Sequence, residues 1–183
     1  TGDGSGTWGT KTNTNLELIA EALSYGTEAI TTNADTHTST VADGSTDPAR
    51  SMYIKYTGAL DSNCTITIAP NTLSRVHFIE NATTDSGSSG PYSIIISQGS
   101  GANVTIPNGD VKVVYLDGAG SGAAVVDAFA SLSVVDLKVQ DDLTVTDDAT
   151  IGGRLLVDDA TEATSTTDGS LQTDGGLSVA KDA

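Results

Sequence analysis

Between Ser51 and Ala130 apolar and polar residues alternate with a period of two, broken at short intervals by turn residues. The alternating segments are Ser51–Tyr56, Cys64–Ala69, Arg75–Glu80, Tyr92–Ser97, Asn103–Ile106, Val111–Leu116 and Ala123–Phe129. Met52, Ile54 and Tyr56 share one face of the first, and Cys64, Ile66 and Ile68 one face of the second. Pro70-Asn71, the run from Ser86 to Pro91, Pro107-Asn108-Gly109-Asp110 and the run from Asp117 to Gly122 separate strands. Several short strands with no helix between them predict an antiparallel β-sandwich-like domain or small barrel over residues 51–130.

Residues 1–30 read differently. Thr14 and Glu17 have the spacing of a capping box, Leu16, Ile19, Ala20 and Leu23 recur at helical spacing, and Gly26 follows. A short helix from about Asn15 to Tyr25 is predicted, with a narrow apolar stripe that must dock on something, because a helix this short is marginal alone. Trp8 stands in a polar, Gly-rich arm. Its two readings are an anchor in a partner's pocket and a cover for Leu16 and Ile19. Residues 31–50 show no periodicity and are expected to be a linker or loosely attached loop.

The end of the chain, residues 131–183, has a shorter rhythm. Leu137, Leu143, Ala149 and Leu155 recur every six residues, and Val139, Val145, Ile151 and Val157 follow each by two. Leu171/Thr173 and Leu177/Val179 resume the step after a lapse. One rung of this kind cannot bury its own apolar face and needs stacking or partner chains. A single-chain solenoid with three rungs per turn would complete little more than one turn from four rungs. The preferred arrangement is therefore a shaft in which three chains share an axis, with Leu137, Val139, Leu143, Val145, Ile151, Leu155 and Val157 as the trimer core.

Composition narrows the function. The chain of 183 residues carries a net charge of -16 and is only 4% aromatic, which disfavours a nucleic-acid platform. One cysteine excludes a disulfide framework, and no apolar run approaches the ~20 residues that span a bilayer. Little catalytic inventory remains, and structural or binding roles are favoured over chemistry.

Three stretches carry a resemblance. They are Gly6-Thr7-Trp8-Gly9-Thr10-Lys11-Thr12-Asn13-Thr14-Asn15-Leu16 with its helix; Asn81-Ala82-Thr83-Thr84, Val104-Thr105-Ile106-Pro107, Val114-Tyr115, Asp117-Gly118 and Val125-Val126-Asp127-Ala128; and Ser165-Thr166-Thr167, Leu171, Gly175-Gly176-Leu177 and Val179-Ala180-Lys181. In this order they resemble the fibre and appendage proteins of tailed bacteriophages, with residues 27–50 unmatched. Gln172 and Asp174 place polarity where shaft repeats are often more apolar. The resemblance implies a virion protein, a homotrimer whose N-terminal end binds an adaptor, nozzle or baseplate protein of the tail and which meets the host surface only indirectly. The end at Ala183 in mid-repeat is expected to mark a fragment of a longer fibre or its observable proximal part. Tail docking is assigned to Trp8, Asn13, Asn15, Leu16, Ile19 and Leu23.

Asp141-Asp142, Asp147-Asp148 and Asp158-Asp159 could face a cation, but adjacent strand residues point apart, so they read as solvated turns. No Gly-x-Ser-x-Gly elbow accompanies His37 or His77; His77 reads as a surface or interface group and Cys64 as core. Gly2-Asp3-Gly4-Ser5-Gly6 lacks the Lys-Ser/Thr of a phosphate loop. Asn63, Asn81 and Asn103 head Asn-x-Thr sequons, acceptors only in a eukaryotic secretory pathway. The expectation is a non-enzymatic protein with no metal or cofactor. Two rivals are a carbohydrate-binding receptor-recognition module and a polysaccharide-degrading tailspike.

Overall fold

The computed structural model describes residues 5–158 and, beyond them, 162, 164, 165, 170–173, 175, 176 and 178. It is mainly β with one short N-terminal helix, and residues 1–134 and 135–183 form two separate units.

The helix α1 spans Trp8–Ala22, starting seven residues before the expected Asn15. Thr7 occupies the N-cap position without a side-chain cap, so Thr14 and Glu17 lie inside the helix and form no capping box. It ends early because Tyr25 is claimed by strand β1, Tyr25–Ala29. The Ser24 hydroxyl donates to the Glu21 carbonyl at 2.7 Å, closing the last turn. Thr14, Leu18, Glu21 and Ala22 form the partly covered side, while Leu16, Ile19 and Leu23 stay exposed.

Ten further strands follow: β2 Thr36–Thr40, β3 Tyr53–Thr57, β4 Ala59–Leu60, β5 Cys64–Ala69, β6 Arg75–Asn81, β7 Thr84–Asp85, β8 Ile94–Ser97, β9 Val104–Ile106, β10 Val111–Leu116 and β11 Val125–Asp127. All seven alternating segments of the sequence are strands. The pairing, however, corrects the expected antiparallel arrangement. β1, β3 and β6 pair in parallel, as do β2, β5 and β8, and β4 with β7. Tyr25 lies beside Tyr53 and Tyr53 beside Phe78, while Thr36 lies beside Thr65 and Thr65 beside Ile95. Each circuit thus visits the five-stranded sheet, then the four-stranded one, and returns in parallel to its own previous circuit, as in a solenoid. β9, β10 and β11 then pair antiparallel and complete the sheet orders β1-β3-β6-β10-β11 and β2-β5-β8-β9.

Residues 31–50 are therefore not a loose linker. They include β2, a 3₁₀ turn at Pro48–Arg50, and the buried Ser39, Val41 and Ala49. Their lack of periodicity reflects a coil whose inward positions are polar as often as apolar.

The core fills the space enclosed by the coils. Ile54, Tyr56, Leu60, Cys64, Ile66 and Ile68 of the second circuit stack under Ile79, Ile94 and Ile96 of the third. Burying each such side chain contributes roughly 1.5–3 kcal/mol over leaving it in water. Among the buried polar residues Asn81 is fully bonded: its Nδ2 donates to the Tyr92 and Ile106 carbonyls at 3.1 and 3.0 Å, and its Oδ1 accepts from the Thr83 backbone N–H at 3.2 Å and from the Thr83 hydroxyl at 2.7 Å. The sequon at Asn81 is thus an internal staple. Such complete satisfaction is what a buried amide requires.

In residues 135–183 no described residue lies in a strand, and those at 137–157 are exposed. Among the described residues the six-residue repeat forms no β-helical shaft within one chain. The repeats around Leu177, Val179 and Lys181, together with Asp159 and Asp174, lie outside the described residues.

Candidate functional site

The predicted docking residues Trp8, Asn13, Asn15, Leu16, Ile19 and Leu23 all lie on α1 or at its end, and all are exposed. Trp8 is 71% exposed, so it does not cover Leu16 or Ile19. The helix is held from its other side. Glu21 Oε2 lies 3.2 Å from Arg50 Nε, Glu21 Oε1 accepts from the Asp47 N–H at 3.1 Å, and Asp47 Oδ1 accepts from the Arg50 N–H at 2.7 Å. Arg50 also donates to the Ala42 and Ser45 carbonyls. This one guanidinium ties α1 to the loop 42–47 while the apolar stripe faces outward.

The predicted trimer-core residues are brought to no common interior within one chain. Leu137, Val139, Leu143, Val145, Ile151, Leu155 and Val157 are each between 42% and 67% exposed.

Two features escaped the sequence reading. The first is a polar chain inside the first circuit. Tyr56 Oη donates to Ser39 Oγ at 2.9 Å, Ser39 Oγ donates to Glu28 Oε2, and Glu28 Oε1 lies 2.7 Å from His37 Nε2. In an acyl-transfer triad the imidazole lies between hydroxyl and carboxylate. Here the carboxylate lies between them, so no imidazole is aimed at the Ser39 hydroxyl. The group closes the first circuit and ties it to Tyr56 of the second, with His37 and Ser39 standing where the second circuit has Ile66 and Ile68. Burial raises the Tyr56 phenol far above its ordinary value, opposed by the Ser39 hydrogen bond. The signal in the sequence was the alternation of Glu28 with Gly26 and of His37 with Ser39, visible only once inward positions are known.

The second is an uncovered face of the five-stranded sheet. Tyr25, Tyr53, Phe78 and Val113 lie side by side in register across four strands. The Tyr25 and Tyr53 rings stack at 5.4 Å, and those of Tyr53 and Phe78 at 6.4 Å and 10° between planes. Leu23, Met52 and these aromatics line a shallow groove. Beside it Lys55 Nζ lies 2.9 Å from Glu80 Oε1, and Tyr53 Oη donates to Glu80 Oε2 at 2.9 Å. The hydrogen bond from Lys55, then that from Tyr53, lowers the Glu80 carboxyl below its usual range.

His77 is fully buried, which corrects its reading as a surface or interface group. Its Nδ1–H donates to the Ser51 carbonyl at 3.0 Å, and its Nε2 has no hydrogen-bond partner among the described residues. Burial, with the Arg75 guanidinium beside it, lowers its pKa to about 4. Cys64 is buried as expected. Among the described residues no group of three or more His, Cys, Asp or Glu side chains could hold a metal ion, and no helix is long and apolar enough to cross a membrane.

No family model, curated protein or solved structure matches this chain.

Proposed function

We propose that this chain is a structural virion protein, the proximal part of a homotrimeric tail fibre that anchors a receptor-binding fibre to the tail of a bacteriophage. Its work is mechanical rather than catalytic. The observation that carries the reading is the exposed six-residue ladder from Leu137 to Val157, since a lone chain leaves each of these apolar side chains wet. Three copies sharing an axis would bury them together. The exposed stripe of α1, with Trp8 at its start, supports docking to an adaptor, nozzle or baseplate protein, as large aromatic side chains commonly anchor interfaces. A net charge of -16 per chain keeps such a fibre soluble and away from nucleic acid. Contact with the host surface is indirect.

The test is mass in solution by light scattering. At 18.5 kDa per chain, a trimer is three times heavier than a monomer. Changing Leu143 and Val145 to Asp should release monomers. A wild-type chain that is monomeric at every concentration would remove the reading.

A further inference from the structure

We infer that the outer face of the five-stranded sheet is a second contact surface between copies of this chain, lying outside the six-residue ladder. The inference rests on the homotrimer proposed above and adds where residues 25–126 meet their counterparts.

The two large sheets present opposite outer faces. On the four-stranded sheet the outward positions are mostly threonine: Thr36, Thr65 and Thr105 with Ile95 in one row, Thr38 and Thr67 in the next. That face hydrogen-bonds water and needs no cover. On the five-stranded sheet the outward positions are Tyr25, Tyr53, Phe78 and Val113, then Val76, Tyr115 and Val126. Tyr25, Val76, Phe78 and Tyr115 are all exposed. With strands about 4.8 Å apart, the first row crosses roughly 14 Å of continuous apolar surface. A patch of that extent on a sheet marks an interface.

Charge selects the occupant. On the outer face of this sheet the charged strand residues are Lys55 and Glu80, which are paired and cancel, whereas Glu28, Arg75, Lys112 and Asp127 stand at inward register positions. The chain as a whole carries -16, so two copies repel over most of their surfaces. This neutral sheet is where a like-charged copy approaches without that penalty. The Tyr25, Tyr53 and Phe78 rings lie in a row with neighbouring centroids 5.4 and 6.4 Å apart, a continuous apolar strip that suits packing against apolar side chains of a second copy.

The test uses thiol labelling of the full chain, because native Cys64 is buried and gives little background. Val76→Cys places a thiol on the proposed surface, and Thr38→Cys places one on the threonine face. In the assembled protein Val76→Cys should react with a maleimide at least tenfold more slowly than Thr38→Cys. Adding Leu143→Asp and Val145→Asp should dissolve the assembly and bring the two rates together. Equal rates in a protein that light scattering shows to be trimeric would overturn this inference and leave the trimer standing. A monomeric protein would overturn both. Protection of Val76→Cys that depends on an added soluble bacterial polysaccharide would overturn it in favour of glycan binding. Val76→Lys, at a position exposed in the single chain, gives an independent measure: it should lower the assembled fraction without lowering the helical and β content seen by circular dichroism.

Discussion

Gly58 passes so close to Ile30 that a Cβ on it would overlap the Ile30 carbonyl oxygen. The chain turns there from β3 into β4 with φ +125°, a conformation that L side chains rarely adopt. The same place joins three circuits, since the Thr84 N–H of the third donates to the Gly58 carbonyl of the second at 2.8 Å and the Ile30 N–H of the first to the Thr57 carbonyl at 2.7 Å. Gly58→Ala should therefore cost about 3 kcal/mol, from backbone strain and displacement of the first circuit. Gly9→Ala, inside α1 with open space around it, should be neutral or stabilising by up to ~1 kcal/mol. Urea unfolding of the two variants checks the contrast.

Asn81 gives a second prediction. Asn81→Ala would leave the Tyr92 and Ile106 carbonyls and the Thr83 hydroxyl without their buried partner. A loss of roughly 2–4 kcal/mol is expected, with no change in the slope of the unfolding transition. Asn63→Ala, which loses only the exposed bond from the Ser93 N–H, should cost under about 1 kcal/mol.

His77 predicts a pH dependence. Its pKa is about 4 in the folded protein against an ordinary 6.5, so between these values the unfolded chain binds more protons than the folded one. Stability is therefore greatest above pH 6.5 and declines as pH falls toward 4, by roughly 3 kcal/mol over the window. The lowered Glu80 and Asp127 carboxyls lose their contribution only further down, as pH falls through their folded values. Thermal unfolding from pH 7.5 to 4 should show the decline, and His77→Leu should flatten that part of the curve relative to wild type.

Trp8 separates stability from attachment. Because its ring is largely in water, Trp8→Ala should change the unfolding free energy by less than about 0.5 kcal/mol. On the proposed function it should nevertheless abolish or strongly weaken incorporation of the chain into phage tails, measured by complementing a particle that lacks it. A variant that loses stability instead would mean that the ring packs on its own chain.

Much of the strand inventory was legible in the sequence. Cys64–Ala69 and Val111–Leu116 have the bounds read from alternation, and the core place of Cys64 followed from the same period. The helix bounds were not legible, because the stretch from Trp8 to Asn15 holds Gly, Thr and Asn, residues of weak helical preference that pattern reading assigns to coil. The face of α1 was half legible: the stripe Leu16, Ile19 and Leu23 was visible, but Leu18 on the covered side was not.

By itself the sequence determined the seven strands that alternate with a period of two, that the chain is strongly acidic, and that its last part repeats every six residues, because local alternation and composition are properties of neighbours in the chain. Only the tertiary structure decided that the strands stack in parallel circuits, that Glu28, His37 and Ser39 close the first of them, that His77 is inside, and that aromatic rather than threonine rows stand on the uncovered sheet. Those facts depend on register between residues some twenty-five to thirty positions apart, as between Tyr25 and Tyr53 or Cys64 and Ile94. A period of two is the same for parallel and antiparallel neighbours, so no local pattern distinguishes them.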